Sequence, residues 1–478
     1  MKLGFFQLDI TPFLGMERPG GYGKSYIEKI HDPLKVRASV IEKDEKVVIC
    51  VLDTLVIQSR KFVEEVREEV HKKLGIKKEN ILISATHTHS GGPFFGPLPE
   101  EYKDAPEIVK VLLDKYSIIT DPFYYEIVKK RTVDAILMAD MTKEDVVCQV
   151  GYGFEKNVSF NRRFKMKNGR IYTHPGKGNP DIVEPAGPVD PDVGVLSFWN
   201  KNNKFLGCFI NFACHCTTSP GGASSDWLYY TEKIIKKNVC EDSNVILLQG
   251  ASGDITQVDN LSLRENEFGE KWANFVGTRI GLESLKIILT EDKYEFEFLR
   301  VKSKIFKVKR RNSSDEKLKK AFEIVKKGLE DENIRKKAEW IFAKERIILD
   351  YITKKQPEFE VEIQIIQIGP LIIATNPGEF FCSLGRRIKK NSHFPFTFIV
   401  ELANGNIGYL PNKEAFTEKG GGYETVLTSY SNADIETGEK IVEESIKLIK
   451  NFVPEPIPKK KISTSIPWSY GILGPEID

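Results

Sequence analysis

Short runs of apolar, often β-branched residues alternate along the chain with longer stretches in which apolar positions recur every three or four residues. That is the pattern of strands interleaved with amphipathic helices. Lys46–Ile57 (KVVICVLDTLVI) and Ile81–Ala85 (ILISA) read as buried strands, with a charged helix over Lys61–Leu74 between them. Further strands are expected at Val193–Trp199, Phe205–Ala213, Val245–Leu248, Leu371–Thr375 and Phe396–Val400. Helices are expected at Phe123–Met138, Trp227–Val239, Glu270–Leu289 and Glu439–Phe452. In the last, Ile441, Val442, Leu448, Ile449 and Phe452 share one face at helical spacing. The expected fold class is α/β, a mixed β-sheet core flanked by helices, with an active site at the strand ends.

Ser313–Lys355 breaks that rhythm. It is dense in Lys and Glu, has no Pro and only Gly328, and alternates charge along helical faces. Residues 313–355 read as two helices of an inserted hairpin or lid with a solvated face. After Val453 the Pro-rich stretch VPEPIPKKKI predicts an extended C-terminal arm over 453–478, leaving 1–452 as one catalytic-size unit. No repeat of solenoid period occurs.

Composition narrows the function classes. With 478 residues, 41% of them apolar and 29% charged, the chain can bury a large core, which excludes disordered and low-complexity classes. Seventy Lys+Arg against 68 Asp+Glu give a net charge of +2, so no nucleic-acid partner is indicated. No run of eighteen apolar residues suggests a transmembrane segment. The opening Met1-Lys2-Leu3-Gly4-Phe5-Phe6 reaches Asp9 and Thr11-Pro12 without an export-signal pattern. The seven cysteines are scattered, mostly in apolar runs, and read as reduced packing residues. A cytoplasmic location is expected.

Candidate chemistry lies where predicted strands end. Ser84-Ala85-Thr86-His87-Thr88-His89-Ser90-Gly91-Gly92 carries two of only seven histidines, which strand alternation would aim to the same side. Asn211-Phe212-Ala213-Cys214-His215-Cys216 delivers a third, with both cysteines facing away as packing residues. Gln249-Gly250-Ala251-Ser252-Gly253-Asp254-Ile255-Thr256 is a small-residue turn in which glycine permits close backbone approach. Asn376-Pro377-Gly378-Glu379-Phe380 and Ala403-Asn404-Gly405-Asn406-Ile407-Gly408-Tyr409 follow two more strands, with Glu379 expected to begin a helix. Five strand ends bearing His, His, Asp/Thr, Glu and Tyr are how one site is gathered from distant sequence.

In this order, ATHTHSGG, NFACHC, QGASGD, NPGEF and ANGNIGYLP resemble the neutral/alkaline (non-lysosomal) ceramidase family, specifically its catalytic N-terminal domain. Asp9-Ile10-Thr11-Pro12 and Val189–Leu196 are similar to weaker signposts of the same family, so the resemblance runs from Phe5 to near Phe452. It implies a zinc-dependent amidase acting on a ceramide-like lipid amide through hydroxide generated at one Zn²⁺ per chain. Carried over by motif, His87, His215, Glu379 and Tyr409 are the implied metal ligands. His89 would face the scissile amide, and Arg162 (in Asn161-Arg162) and Tyr423 (in Gly421-Gly422-Tyr423-Glu424) would contact substrate or assist catalysis. Asp254 is expected to orient a ligand histidine. Thr256, followed by Gln257, stands where the family carries Ser and then Pro, and is expected to have a positioning role. Phe94 and Phe95, in the loop after HTHSGG, are candidates for an acyl pocket or for simple loop packing.

Three other readings stand beside this one. A small non-lipid amide, such as an N-acyl amino acid or peptide, would use the same site. A (β/α)₈ amidohydrolase would begin with the His-x-His pair but needs further ligands after late strands, and neither His174 nor His393 follows one. A non-catalytic, zinc-stabilised binding module would usually present closely spaced cysteines, unlike the dispersed His/O set here. Metal content, followed by a panel of N-acylated substrates, separates these readings.

Overall fold

The computed structural model describes residues 1–458 and 466–478. Eight strands form the larger sheet: β1 (Lys2–Asp9), β2 (Lys35–Glu42), β3 (Lys46–Leu52), β4 (Ile81–Ala85), β5 (Glu144–Phe154), β6 (Asp192–Asn200), β7 (Phe205–Phe212) and β8 (Asn244–Gln249). Their spatial order is β8-β7-β6-β5-β1-β2-β3-β4. The β3–β4 and β7–β8 pairs are parallel and the rest antiparallel. A second sheet runs β9 (Leu299–Lys309), β10 (Glu358–Ile368), β11 (Leu371–Thr375), β12 (Phe396–Val400), with only β11–β12 parallel. The fold is mixed α/β and not a (β/α)₈ barrel.

The two sheets pack against each other. Alternation along β3 sends Val47, Ile49 and Val51 into an apolar layer shared with Ile366, Ile368, Leu371, Ile373, Phe398 and Val400 of the second sheet. Val48, Cys50 and Leu52 point the other way, toward α1 (Arg60–Leu74) and, after α2 (Glu107–Tyr116), α3 (Pro122–Met141). The remaining outer faces are covered by α4 (Trp227–Asn238) and α5 (Glu270–Thr290) on β6–β8, and by α9 (Cys382–Asn391) and α10 (Thr437–Ile449) on the second sheet. Burial of each such Val, Ile or Leu is worth roughly 1.5–3 kcal/mol, so both strand faces carry stabilising load.

Local signals set the element ends. Ser59 caps α1 by accepting from the Phe62 amide at 3.2 Å, and Gly75 closes it in the left-handed region. The strand expected over Lys46–Ile57 stops at Leu52. There the buried Asp53 carboxylate accepts from the Lys35 amide at 2.8 Å and from Arg37 Nη1 at 2.6 Å, turning the chain away. The charged stretch at 313–355 forms three helices, not two: α6 (Asp315–Glu330), the single-turn α7 (Glu332–Arg335) and α8 (Ala338–Lys355). They share an apolar cluster with α2 through Leu112, Leu113, Val325, Trp340 and Ile347. In the C-terminal arm, residues 459–465 lie outside the described residues. Glu455, before them, accepts from the Glu297 and Phe298 amides. Among the described residues no helix is long and apolar enough to cross a membrane.

Candidate metal centre and its cavity

Four of the candidate groups converge. The Nε2 atoms of His87 and His215 each stand 3.4 Å from Glu379 Oε2, and His89 Nε2 stands 3.4 Å from His87 Nε2. Ligating atoms of His87, His89 and His215 all lie within 4.8 Å of one another, a group able to hold a metal ion.

The chain reaches this point by loops, not by strand alternation. β4 ends at Ala85, and His87 lies beyond it in the left-handed region at φ 65°, so backbone reversal aims the two imidazoles together. Asn404 continues the pairing of β4, its amide bonding the Ile83 carbonyl at 2.8 Å and its side-chain oxygen accepting from the Ile83 amide at 3.0 Å. His215 follows β7, and a parallel bridge between Thr88 and Cys216 ties the two histidine loops to each other. The Cys216 thiol bonds the Thr86 carbonyl and Cys214 is buried, both as packing residues. Glu379 does not begin a helix. Glu379–Phe380 is a two-residue strand paired in parallel with Tyr409–Leu410, so that Glu379 and Tyr409 are direct cross-strand neighbours, and α9 starts only at Cys382.

Hydrogen bonding fixes the ring nitrogens. Nδ1 of His87 donates to the Leu55 carbonyl at 2.8 Å and Nδ1 of His89 to the Gly20 carbonyl at 2.9 Å, which leaves each Nε2 lone pair facing the site. Glu379 Oε2 and His215 Nδ1 are buried with no hydrogen-bond partner. Burial works against a charged His87, but the Glu379 carboxylate beside it outweighs that cost and holds the imidazole above its ordinary range. His89 is pushed down to about 3 by burial and by the neighbouring His87. Burial and then Arg162 keep His215 well below the usual value. For Glu379, burial opposes ionisation, yet the His215 and His87 imidazoles beside it hold the carboxylate well below its normal range.

These donors fit a tetrahedral cation. Ligands about 2.0–2.1 Å from a tetrahedral zinc lie about 3.3–3.4 Å from one another, the separation found here between each imidazole nitrogen and Glu379. The orphaned Glu379 oxygen supplies the negative charge such an ion requires.

The site opens into a cavity of about 800 Å³. His87, His89, Glu379, Tyr409, Tyr423 and Tyr22 line its floor, and Phe95, Leu113, Ile348, Ile352, Phe359 and Ile407 form apolar walls. The helical insertion is therefore part of the wall, through α8. Its buried Lys344 donates to Ser117 Oγ at 2.8 Å and pairs with Glu345, which accepts from Ser429.

Other expected residues take different positions. Phe94 belongs to the core and not to an acyl pocket: it is 1% exposed and packs edge-on against Phe62 at 4.9 Å, whereas Phe95 faces the cavity beside Tyr430. Arg162 does not line the cavity. It is buried behind the floor, bonded to Glu424 at 2.9 Å and the Gly253 carbonyl at 2.7 Å, with its guanidinium 5.5 Å and 5.0 Å from the ring centres of Tyr409 and Tyr423. Its Nη1 stands 3.3 Å from His215 Nε2. Asp254 orients no histidine, because its oxygens accept from Asn161 Nδ2 and the Cys382 amide, both closer than 3 Å. Thr256 is buried in a short ladder opposite Phe160, away from the cavity lining, with its hydroxyl toward Gln257. Gly253 serves close approach to protein and not to a ligand: a Cβ there would meet the Glu379 carbonyl at 2.3 Å.

Sequence reasoning missed Tyr22, Glu424 and Glu401. The first had a signal, since Gly20-Gly21-Tyr22-Gly23 sets one aromatic among three glycines. Tyr22 stands edge-on to Tyr423 at 6.2 Å and to Phe342 of α8 at 5.7 Å, joining the floor to the helical insertion. Glu424 stood in the quoted Gly421-Gly422-Tyr423-Glu424 motif without a role of its own, and Glu401, a lone acid after an apolar strand, had no signal.

No family model and no curated protein matches the chain. Among solved structures it is similar to neutral ceramidase from Pseudomonas aeruginosa, with a TM-score of 0.67 and 19% identity, over 97% of this chain and 76% of that one. It is also similar to a ceramidase complexed with C2, with a TM-score of 0.65 and 18% identity, over 97% of this chain and 77% of that one. The chain thus has the neutral ceramidase fold that its motifs implied.

Proposed function

We propose that this chain, a protein with the neutral ceramidase fold, is a zinc-dependent amidase that hydrolyses an N-acylated, ceramide-like substrate. The observation that carries the reading is the pair of 3.4 Å approaches of His87 and His215 to Glu379, beside an apolar-walled cavity that His87 and Glu379 line. His87, His215 and Glu379 would hold the ion, with Tyr409 completing the set from its place opposite Glu379 in the ladder. Zinc bound there would act as a Lewis acid toward the amide carbonyl and bring the pKa of water to about 7.

The protein's own groups supply the rest. His89, with its Nδ1 proton engaged by Gly20, offers the Nε2 lone pair to accept a proton during attack and return it to the departing amine. Burial keeps the Tyr423 phenol protonated, so it can donate to the developing oxyanion, an interaction worth roughly 3 kcal/mol. Arg162, stacked under both tyrosines, fixes their rings. The walls formed by Phe95, Ile348, Ile352 and Phe359 suit an acyl chain and exclude water from it.

The test is metal analysis followed by N-acyl substrates of graded chain length. One zinc per chain, lost in His87→Ala and His215→Ala, with hydrolysis that rises with acyl length, is the expected result. A metal-free, inactive chain overturns the reading, and preference for short acyl groups replaces the lipid amide with a small polar one.

A further inference from the structure

Glu401 is fully buried immediately after β12, where three strand ends meet. Its Oε2 accepts from the Ser252 amide at 3.0 Å and from the Phe380 amide at 2.8 Å, and its Oε1 accepts from the Ser252 hydroxyl at 2.5 Å. Its own amide bonds the Gln249 carbonyl at 3.0 Å. Ser252 Oγ in turn accepts from Gln249 Nε2 at 2.9 Å, so the serine proton is committed to Glu401. No cation pairs with this carboxyl among the described residues. A buried acid costs stability unless its oxygens are satisfied, and here every bond it makes goes to the turn after β8 or to the residue following Glu379.

We propose that Glu401 is a positioning residue for the metal centre: by joining the Phe380 amide to the Ser252 turn it sets where the Glu379 carboxylate meets His87 and His215. Glu379–Phe380 is a strand of only two residues, held from one side by Tyr409–Leu410. Its other side is pinned by the Gly253 amide on the Phe380 carbonyl at 2.9 Å and by Glu401 on the Phe380 amide. Removing the Glu401 bond frees the backbone one residue from the ligand. Ligand oxygens displaced by a fraction of an ångström bind a metal less tightly, and outer partners of metal ligands typically govern 10–100-fold in affinity.

The inference rests on the proposed zinc site, and its test reads zinc affinity by chelator competition together with the melting temperature of the zinc-free chain. Glu401→Gln keeps an acceptor of the same reach for both amides and should stay within about threefold of wild-type affinity. Glu401→Asp, one methylene shorter, cannot span Ser252 and Phe380 together and should bind zinc at least about tenfold more weakly, with zinc-free melting close to wild type. Equal affinities in the two variants, or a Glu401→Gln variant weaker than Glu401→Asp, overturn the proposal. Should Glu401→Asp not fold, Ser252→Ala, which strips only the hydroxyl bond, is expected to weaken zinc about two- to fivefold, and an unchanged affinity overturns it equally. A wild-type chain that binds no zinc defeats the functional reading itself, whereas wild-type binding with unaltered variants defeats this inference alone.

Discussion

The carbonyl of Gly20 holds Nδ1 of His89 at 2.9 Å, so a glycine turn near the start of the chain orients an imidazole 69 positions later. Gly20 has φ 111°, and a Cβ there would stand 2.8 Å from that same Nδ1. Gly20→Ala therefore combines backbone strain with displacement of the ring. We expect kcat/KM to fall by about 100-fold, in line with the cost of small misplacements, while zinc content stays at wild-type level. Steady-state kinetics beside metal analysis check this.

Neighbouring phenylalanines should separate stability from binding. Phe94 fills the core against Phe62 and Tyr125, so Phe94→Ala should cost about 3–5 kcal/mol in urea unfolding, with KM for a long-chain amide little changed. Phe95 lines the cavity. Phe95→Ala should leave the unfolding midpoint nearly in place and raise KM for long acyl chains several-fold more than for short ones.

Arg162 is bound in a way lysine cannot copy. The guanidinium reaches Glu424 and the Gly253 carbonyl at once and lies against two tyrosine rings. Arg162→Lys is expected to reduce kcat by about 10–100-fold with a smaller change in KM, because it disturbs the rings proposed to act in the reaction more than the walls proposed to hold substrate. The split between kcat and KM is the readout.

Outside the cavity lining, Glu232 predicts an acid limit to stability. It pairs with Lys35 at 2.8 Å, Arg37 at 3.0 Å and Lys236 at 3.0 Å. Burial opposes its ionisation, but the charge of Arg37, followed by those of Lys35 and Lys236, holds it down to about 2 from an ordinary 4.5. The folded value lies below the unfolded one, so this stabilisation is complete above about pH 4.5 and drains away as pH falls toward 2. Glu232→Gln should be less stable at neutral pH and lose less between pH 4.5 and 2, as followed by urea midpoints across that range.

How much of this was legible beforehand depends on the kind of signal. Strands buried on both faces, such as Ile81–Ala85, Leu371–Thr375 and Phe396–Val400, coincide with their apolar runs because no other element of that length hides every side chain. The edge strand Leu299–Lys309 escaped, since its lysines face water and interrupt the apolar pattern. His87, His215 and Glu379 were singled out together only through the family resemblance, since their meeting depends on two sheets packing together and nothing within one segment encodes that. Asp254 misled for a related reason. An acid beside a glycine turn looks like a partner for histidine, but its nearest donors are Asn161 and the first amide of α9. Glu401 was invisible because a single acid after an apolar strand carries no pattern of its own.

The layered core gives the centre a mechanical meaning. His87 and His215 follow strands of the larger sheet, and Glu379 and Tyr409 pair in a two-residue ladder that follows strands of the second. The sheets meet through an apolar layer crossed by backbone hydrogen bonds from Asn404 to Ile83 and from Glu401 to Gln249. An ion grasped by both halves, as proposed, would be a further rivet beside those bonds. Chelation would then slacken the loops that carry the ligands before either sheet melts, making loss of the ion an early sign of wear at the seam.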